Sequence, residues 1–323
     1  MKRIPRLLLT GLLSLIGLLA LAAALFAYFL YTPEPELPPL SGTLSKGSME
    51  VAGLQRSYRS YVPKGLPQGA PLVLVMHGSG EGPQALRVGT GYGFERLADQ
   101  HGFAVVYPKS FGFDWNDCSS IGNTAVNGVR ADDAGFLAAL VDKLISELGV
   151  DPQRVFAAGV SNGGSMALRL ALEDPQRYRA VAAALANVPA PQNFQCQPLA
   201  QTPSVMILNG TEDPLVPYAG GEINLLGLFY KGGQVVSANA SAQYFADRNA
   251  IPGKPRVSLS HPHVEHARWQ AADGRTEVEL LTLHGAGHVL PQPWARRPRL
   301  LGPAPTEPNG PALIWAFFER QAK

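Results

Sequence analysis

Cysteine is scarce: Cys118 and Cys196 are the only two in 323 residues. Two thiols cannot make a disulfide scaffold, their spacing fits no metal-ligand pattern, and at most one bridge can join them. Charge is scarce too. Only 16% of residues are charged, against roughly 25% in ordinary soluble domains, and 27 cations against 25 anions leave a formal charge of +2. A polyanion partner is therefore not expected. The densest cationic run, Arg296, Arg297 and Arg299, sits in a proline-rich stretch with no nucleic-acid reading motif, so no nucleic acid is assigned. Internal repeats are lacking, which excludes solenoids and propellers. What is present is apolar material, 46% of the chain, enough for one large core or two small ones.

The amino terminus carries a long uncharged run. After Lys2, Arg3 and Arg6, residues 7–31 contain no charge over 25 positions. A helix of that length spans the roughly 30 Å hydrocarbon layer. The run is longer than the 7–15 apolar residues of a cleavable signal, although Ala22-Ala23-Ala24 could serve as a cleavage site. Residues 1–31 are read as a signal anchor or signal peptide, with the anchor favoured. The leading cations place everything downstream outside the cytoplasm, on the periplasmic or extracellular side. Pro33, Pro35, Pro38 and Pro39 make residues 32–41 a stiff tether that sets the rest of the chain away from the bilayer. A catalytic domain is expected over residues 42–323.

Beyond the tether, strand and helix signals alternate, as in an α/β domain with a mainly parallel sheet. Residues 71–76 are a continuous apolar run that stops at His77-Gly78-Ser79-Gly80, as a strand buried on both faces would. Residues 102–108, 155–160, 204–208 and 278–283 repeat that signature. Helices are expected over 94–100, from Asp132 or Asp133 to a stop at Gly149, after Ser161, and over 312–321. Residues 291–311 hold seven prolines.

Chemistry concentrates at Gly159-Val160-Ser161-Asn162-Gly163. The pattern is weak alone, yet a buried strand leads in and a helical stretch with Met166, Leu168, Leu170 and Leu172 leads out. Such an abrupt turn brings residues two before and two after the serine together, so glycine is needed at 159 and 163. The serine hydroxyl needs a base, and in this layout the acid and then the histidine follow the serine. Asp213, directly after the strand at 204–208, is the expected acid, with Glu212 as its rival. His288, in Leu283-His-Gly-Ala-Gly-His-Val289, is the expected base, with His284 as its rival. Oxyanion donors are expected from the Asn162 N–H and the Ser79 N–H, while His77 braces its loop.

At these residues the chain resembles the secreted α/β-hydrolases grouped as polyhydroxybutyrate depolymerase-like and feruloyl esterase-like. The resemblance rests on Gly-Val-Ser-Asn-Gly-Gly, on Gly-Thr-Glu-Asp-Pro-Leu-Val-Pro-Tyr-Ala-Gly-Gly and on Gly-Ala-Gly-His. Residues 72–78, 115–117, 132–136, 150–155 and 314–318 also match, so it covers roughly 50–320. It implies an α/β-hydrolase fold with Ser161 as nucleophile, Asp213 as orienting acid and His288 as base. Val289-Leu290-Pro291 departs from the tryptophan and proline common after that histidine, and Cys118 stands where glycine is common. Both departures bear on the substrate mouth.

The remaining features receive plainer readings. His261, His263 and His266 lie in what reads as a polar linker between strands, and no metal is assigned to them. Asp132 and Asp133 are taken as helix caps. Leu225, Leu226, Leu228, Phe229 and Tyr230 form an apolar loop that is either substrate wall or packed surface. Cys118 and Cys196 are candidates for one bridge in an oxidising compartment. The reading is a serine esterase acting through an acyl-enzyme on carboxylic esters, polyhydroxyalkanoate-type or of aromatic acids, without a cofactor. A peptidase or amidase using the same three residues, or a catalytically silent binding module, are the alternatives.

Overall fold

A computed structural model describes residues 3–122, 124–225, 227, 231–272 and 274–322. Lys2 of the leading cations and Leu226, Leu228, Phe229 and Tyr230 of the apolar loop lie outside the described residues. Helix α1 (Arg3–Phe29) is followed by an extended segment and the hairpin β1 (Thr43–Val51) and β2 (Leu54–Val62). The centre of the chain then alternates: β3 (Leu72–Met76), α2 (Pro83–Gly89), α3 (Gly93–His101), β4 (Ala104–Pro108), the short ribbon β5 (Ala125–Val126) and β6 (Val129–Arg130), α4 (Asp133–Leu148), β7 (Val155–Val160), α5 (Asn162–Glu173), β8 (Ala180–Ala184) and β9 (Ser204–Gly210). A second ribbon, β10 (Gly221–Asn224) with β11 (Lys231–Val235), precedes α6 (Ala238–Arg248), the antiparallel run β12 (Arg256–His261), β13 (Val264–Gln270) and β14 (Glu277–Leu283), and finally α7 (Gly310–Gln321).

Among the described residues, ten strands form one sheet in the order β1-β2-β4-β3-β7-β8-β9-β14-β13-β12. The six central strands are parallel, and an antiparallel hairpin closes each edge. Side chains alternate across β3, which explains its uninterrupted apolar run. Leu72, Leu74 and Met76 join a core with Phe136 of α4, Met166 of α5 and Phe245 of α6. Val73 and Val75 join the opposite core, with Phe94 of α3 and Phe317 of α7. Each large apolar side chain buried this way contributes about 1.5–3 kcal/mol.

Two expectations change, those for the histidine-rich linker and for Asp133. The segment 32–41 itself touches the domain at its end: Pro38 is buried, and the Ser41 N–H and hydroxyl donate to Asp99 of α3 at 2.7 and 2.8 Å. Proline stiffness keeps the segment extended, and Asp99 supplies the acceptors that lay it on the surface. The histidine-rich linker is instead the β12–β13 hairpin, with His266 paired across to Leu281 and its Nε2 3.3 Å from Glu279 Oε1. Of the two aspartates expected as caps, Asp132 caps α4 by accepting from the Gly135 N–H at 2.9 Å. Asp133 turns inward to the buried Arg56 guanidinium at 2.5 Å and accepts the Asn116 N–H at 2.8 Å.

Candidate active site

The parallel strands deliver their carboxyl ends to one rim, where an open α/β sheet gathers ligands and chemistry. Ser161 stands between β7 and α5 with φ 57° and ψ −126°, a conformation that costs a non-glycine residue of order 1–3 kcal/mol. The surrounding packing enforces it. A Cβ at 159 would fall on the Gly163 carbonyl, and one at 163 would meet the His77 carbonyl at 2.5 Å, so strand and helix cross only because both residues are glycine. The Ser161 N–H donates to the Ala184 carbonyl of β8 at 2.8 Å and fixes the turn against the sheet.

Asp213 follows β9, and its carboxylate is nearly fully buried. One oxygen accepts the Leu215 and Val216 N–H groups at 2.8 Å each, and the other lies 2.7 Å from His288 Nδ1. That pairing leaves Nε2 as the available nitrogen. Among the described residues it is buried without a hydrogen-bond partner, and His288 lines the same cavity as Ser161 and Ser79. The histidine loop is pinned from behind: the Gly287 N–H donates to Pro303 O at 2.8 Å and the His288 N–H to Leu301 O at 2.6 Å. A Cβ at 287 would strike the Leu301 carbonyl, so the glycine serves this close approach. The rivals sit elsewhere. Glu212 is exposed, and His284 is half-exposed with its Nε2 3.9 Å from Glu265.

On the other side of Ser161, the loop after β3 presents backbone. The Gly80 N–H donates to Phe113 O at 2.8 Å and the Gly78 N–H to Glu81 Oε2 at 3.3 Å, while the Ser79 amide has no protein acceptor among the described residues. Asn162 is the first residue of α5, where the N–H has no intrahelical partner. His77 lies beneath, fully buried, with Nδ1 2.8 Å from Gly78 O and Nε2 accepting the Ser110 N–H at 3.2 Å. Burial holds its pKa below the usual histidine value, so it is a neutral brace.

Two lobes meet at Ser161 and share Ser79, Leu185 and Leu215. One, about 270 Å³, is mostly apolar, with Phe113, Ile121, Val216, Ile223, Leu225 and Val235. The other, about 130 Å³, runs under His288 and is crossed by the Arg297–Glu81 ion pair at 3.2 Å.

One residue beside the site went unassigned in the sequence. Asp117, at the wall of the larger lobe, accepts the Ser119 N–H at 2.7 Å and the Asn162 side-chain amide at 3.0 Å. Burial pushes its carboxyl up to about 7, only partly opposed by the Ser119 hydrogen bond. The Asn162 side-chain oxygen in turn accepts the Trp115 N–H at 2.5 Å. The loop bearing these residues is closed by a disulfide between Cys118 and Cys196, with α-carbons 4.8 Å apart. No local periodicity marks Asp117; its strongest sequence signal was its place in Trp115-Asn-Asp117.

Comparison with known proteins follows the same lines. Residues 56–190 match the family described as esterase PHB depolymerase. A protein of Nocardia uniformis subsp. tsuyamanensis named "Putative esterase NocK" is 29% identical over 286 residues, covering 84% of this chain and 81% of that one. Poly(3-hydroxyalkanoate) depolymerase C of Paucimonas lemoignei is 26% identical, covering 72% of this chain but only 58% of the longer protein. The solved acetyl xylan esterase from Aspergillus awamori superposes with a TM-score of 0.57 at 19% identity, over 77% of this chain and 95% of that one, and shows a shared fold. The chain has the α/β-hydrolase fold and is similar, over most of its length, to proteins named as esterases, with residues 56–190 matching the polyhydroxybutyrate depolymerase esterase family.

Proposed function

We propose that this enzyme is a serine esterase in which Ser161, His288 and Asp213 act as nucleophile, base and orienting acid. The observation that carries the reading is the His288 pairing: Nδ1 is held by Asp213 at 2.7 Å, and the unpartnered Nε2 belongs to a cavity that Ser161 lines. His288 takes the Ser161 proton as the hydroxyl attacks the ester carbonyl, and the Ser79 and Asn162 amides receive the oxyanion. The imidazolium then protonates the departing alkoxide. Water, deprotonated by the same nitrogen, attacks the acyl-enzyme and releases the acid.

The leaving alcohol must lie within reach of His288, which assigns it to the smaller lobe. The acyl part then fills the 270 Å³ apolar lobe. Such an acyl group is either an aromatic acid or a short hydroxyalkanoate unit. Helix α1 is further read as a membrane anchor that exports residues 42–323. Leu9–Phe29 has a mean hydropathy of 2.4 and no buried residue. The Cys118–Cys196 bridge fits an oxidising compartment. The test is a panel of p-nitrophenyl esters of varied acyl length beside aminoacyl anilides, with fluorophosphonate labelling. Ester turnover with the label on Ser161 is expected; turnover of anilides alone, or a label elsewhere, would overturn the reading.

A further inference from the structure

Two features, one on α1 and one beside the site, meet at a single point. The guanidinium of Arg299 lies 4.2 Å over the ring of Tyr28, in the last turns of α1. Arg299 opens a 3-10 turn ending at Leu301, whose carbonyl holds the His288 N–H and whose side chain lines the smaller lobe. Two residues and one hydrogen bond thus separate the foot of the apolar helix from the histidine, a path of roughly 20 Å or less at about 3.5 Å per residue.

The same proline-rich segment is unusual on its outer side. Trp294, Arg296 and Arg299 are exposed there, around a groove of about 460 Å³ that shares Val289, Leu290 and Arg297 with the lobe under His288. The other three tryptophans, Trp115, Trp269 and Trp315, are buried. An exposed tryptophan flanked by arginines, beside the tyrosine end of an apolar helix, has the chemistry of a membrane interface. Indole and phenol rings settle at the headgroup level, and guanidinium groups pair with phosphate. Exposed Glu34, Glu36 and Glu307 on neighbouring segments offset the arginines, so the fit is to phospholipid headgroups in general rather than to strongly anionic lipid.

We propose that residues 291–303 are a second membrane contact that lays the catalytic domain on the phospholipid surface, with the lobe under His288 opening toward it. The substrates that reach Ser161 most readily are then esters carried at that surface. This rests on α1 being inserted and on Ser161 being the nucleophile.

The test uses the full chain in phosphatidylcholine vesicles containing a headgroup-nitroxide lipid. Resistance to carbonate extraction reports insertion, and turnover of a water-soluble p-nitrophenyl ester reports the site. Nitroxide should quench the fraction of tryptophan emission that Trp294→Phe removes. Arg296→Glu should lower that quenching and cut turnover of a vesicle-borne long-chain ester severalfold through loss of the guanidinium–phosphate pairing, leaving the soluble ester unaffected. Absent quenching in a chain that resists extraction, or equal loss on both esters, would overturn the proposal alone. Release by carbonate would defeat the anchor and the proposal together, and failure on the soluble ester would defeat the esterase reading first.

Discussion

Asp117 accepts a hydrogen bond from the Asn162 side chain at 3.0 Å, so the residue that follows Ser161 is held by the loop that the disulfide closes. The Trp115 N–H holds the other end of the same amide. The Asn162 side chain is thereby fixed from two sides, which steadies the backbone N–H proposed above as an oxyanion donor.

The Asp117 pair gives the protein a pH-dependent stability. Burial raises this carboxyl from 3.8 to about 7 in the folded state, so between those values the folded chain binds a proton that the unfolded chain has lost. Its contribution is full below pH 4, declines as pH rises, and is gone above about 7, an effect on the order of a few kcal/mol. Thermal midpoints from pH 4 to 8 should fall across this window in the parent protein and flatten in Asp117→Asn. An equal slope in both proteins would contradict the assignment.

Ser161→Ala should lower kcat by on the order of 10³–10⁶-fold while leaving the melting temperature unchanged or raised. The substitution removes one hydroxyl and leaves the strained turn, which the glycines on either side maintain. Circular dichroism and a p-nitrophenyl ester assay separate the two effects.

Asp213→Asn should cost about 10⁴-fold in kcat, because an amide facing Nδ1 imposes the wrong tautomer on His288. Glu212→Gln should remain near parental activity, since its side chain is exposed and only its N–H is used, donating to Ala286 O at 2.9 Å. Reversed outcomes would exchange the two carboxylates.

The disulfide closes a loop across 78 positions, and its removal in Cys118→Ser/Cys196→Ser should cost about 2–5 kcal/mol. Loosening the Asp117 loop should also lower kcat more than it changes KM. Thiol titration of the unfolded, unreduced chain should find none; two thiols would mean that the bridge does not form.

Much of the sheet was legible because apolar runs ending in glycine are what doubly covered parallel strands require. β7 falls at the expected 155–160, and β3 and β4 differ from expectation by only one or two residues. β8 was not legible: Ala180-Val-Ala-Ala-Ala184 favours helix by propensity, and it is a strand through its parallel pairing between β7 and β9, with α5 so close above that a Cβ at Gly164 would lie 2.8 Å from the Ala184 carbonyl. β12 was hidden for the opposite reason. It is an edge strand whose Val257 and Leu259 are exposed, so burial never patterned it. The elbow and the acid–histidine pair announce themselves through local glycines and prolines. Asp117 does not, since its meaning arises only when 117 and 162 meet across the fold.

In the proposed mechanism, the pairing of β14 beside β9 sets when Ser161, Asp213 and His288 can act together. Synthesis runs from the amino end, so Ser161, its elbow and both cysteines emerge well before His288. Until β14 docks and the Pro303 and Leu301 carbonyls hold the histidine loop, the serine has no base. Under the proposed mechanism, ester hydrolysis therefore begins only once β14 and the histidine loop are in place.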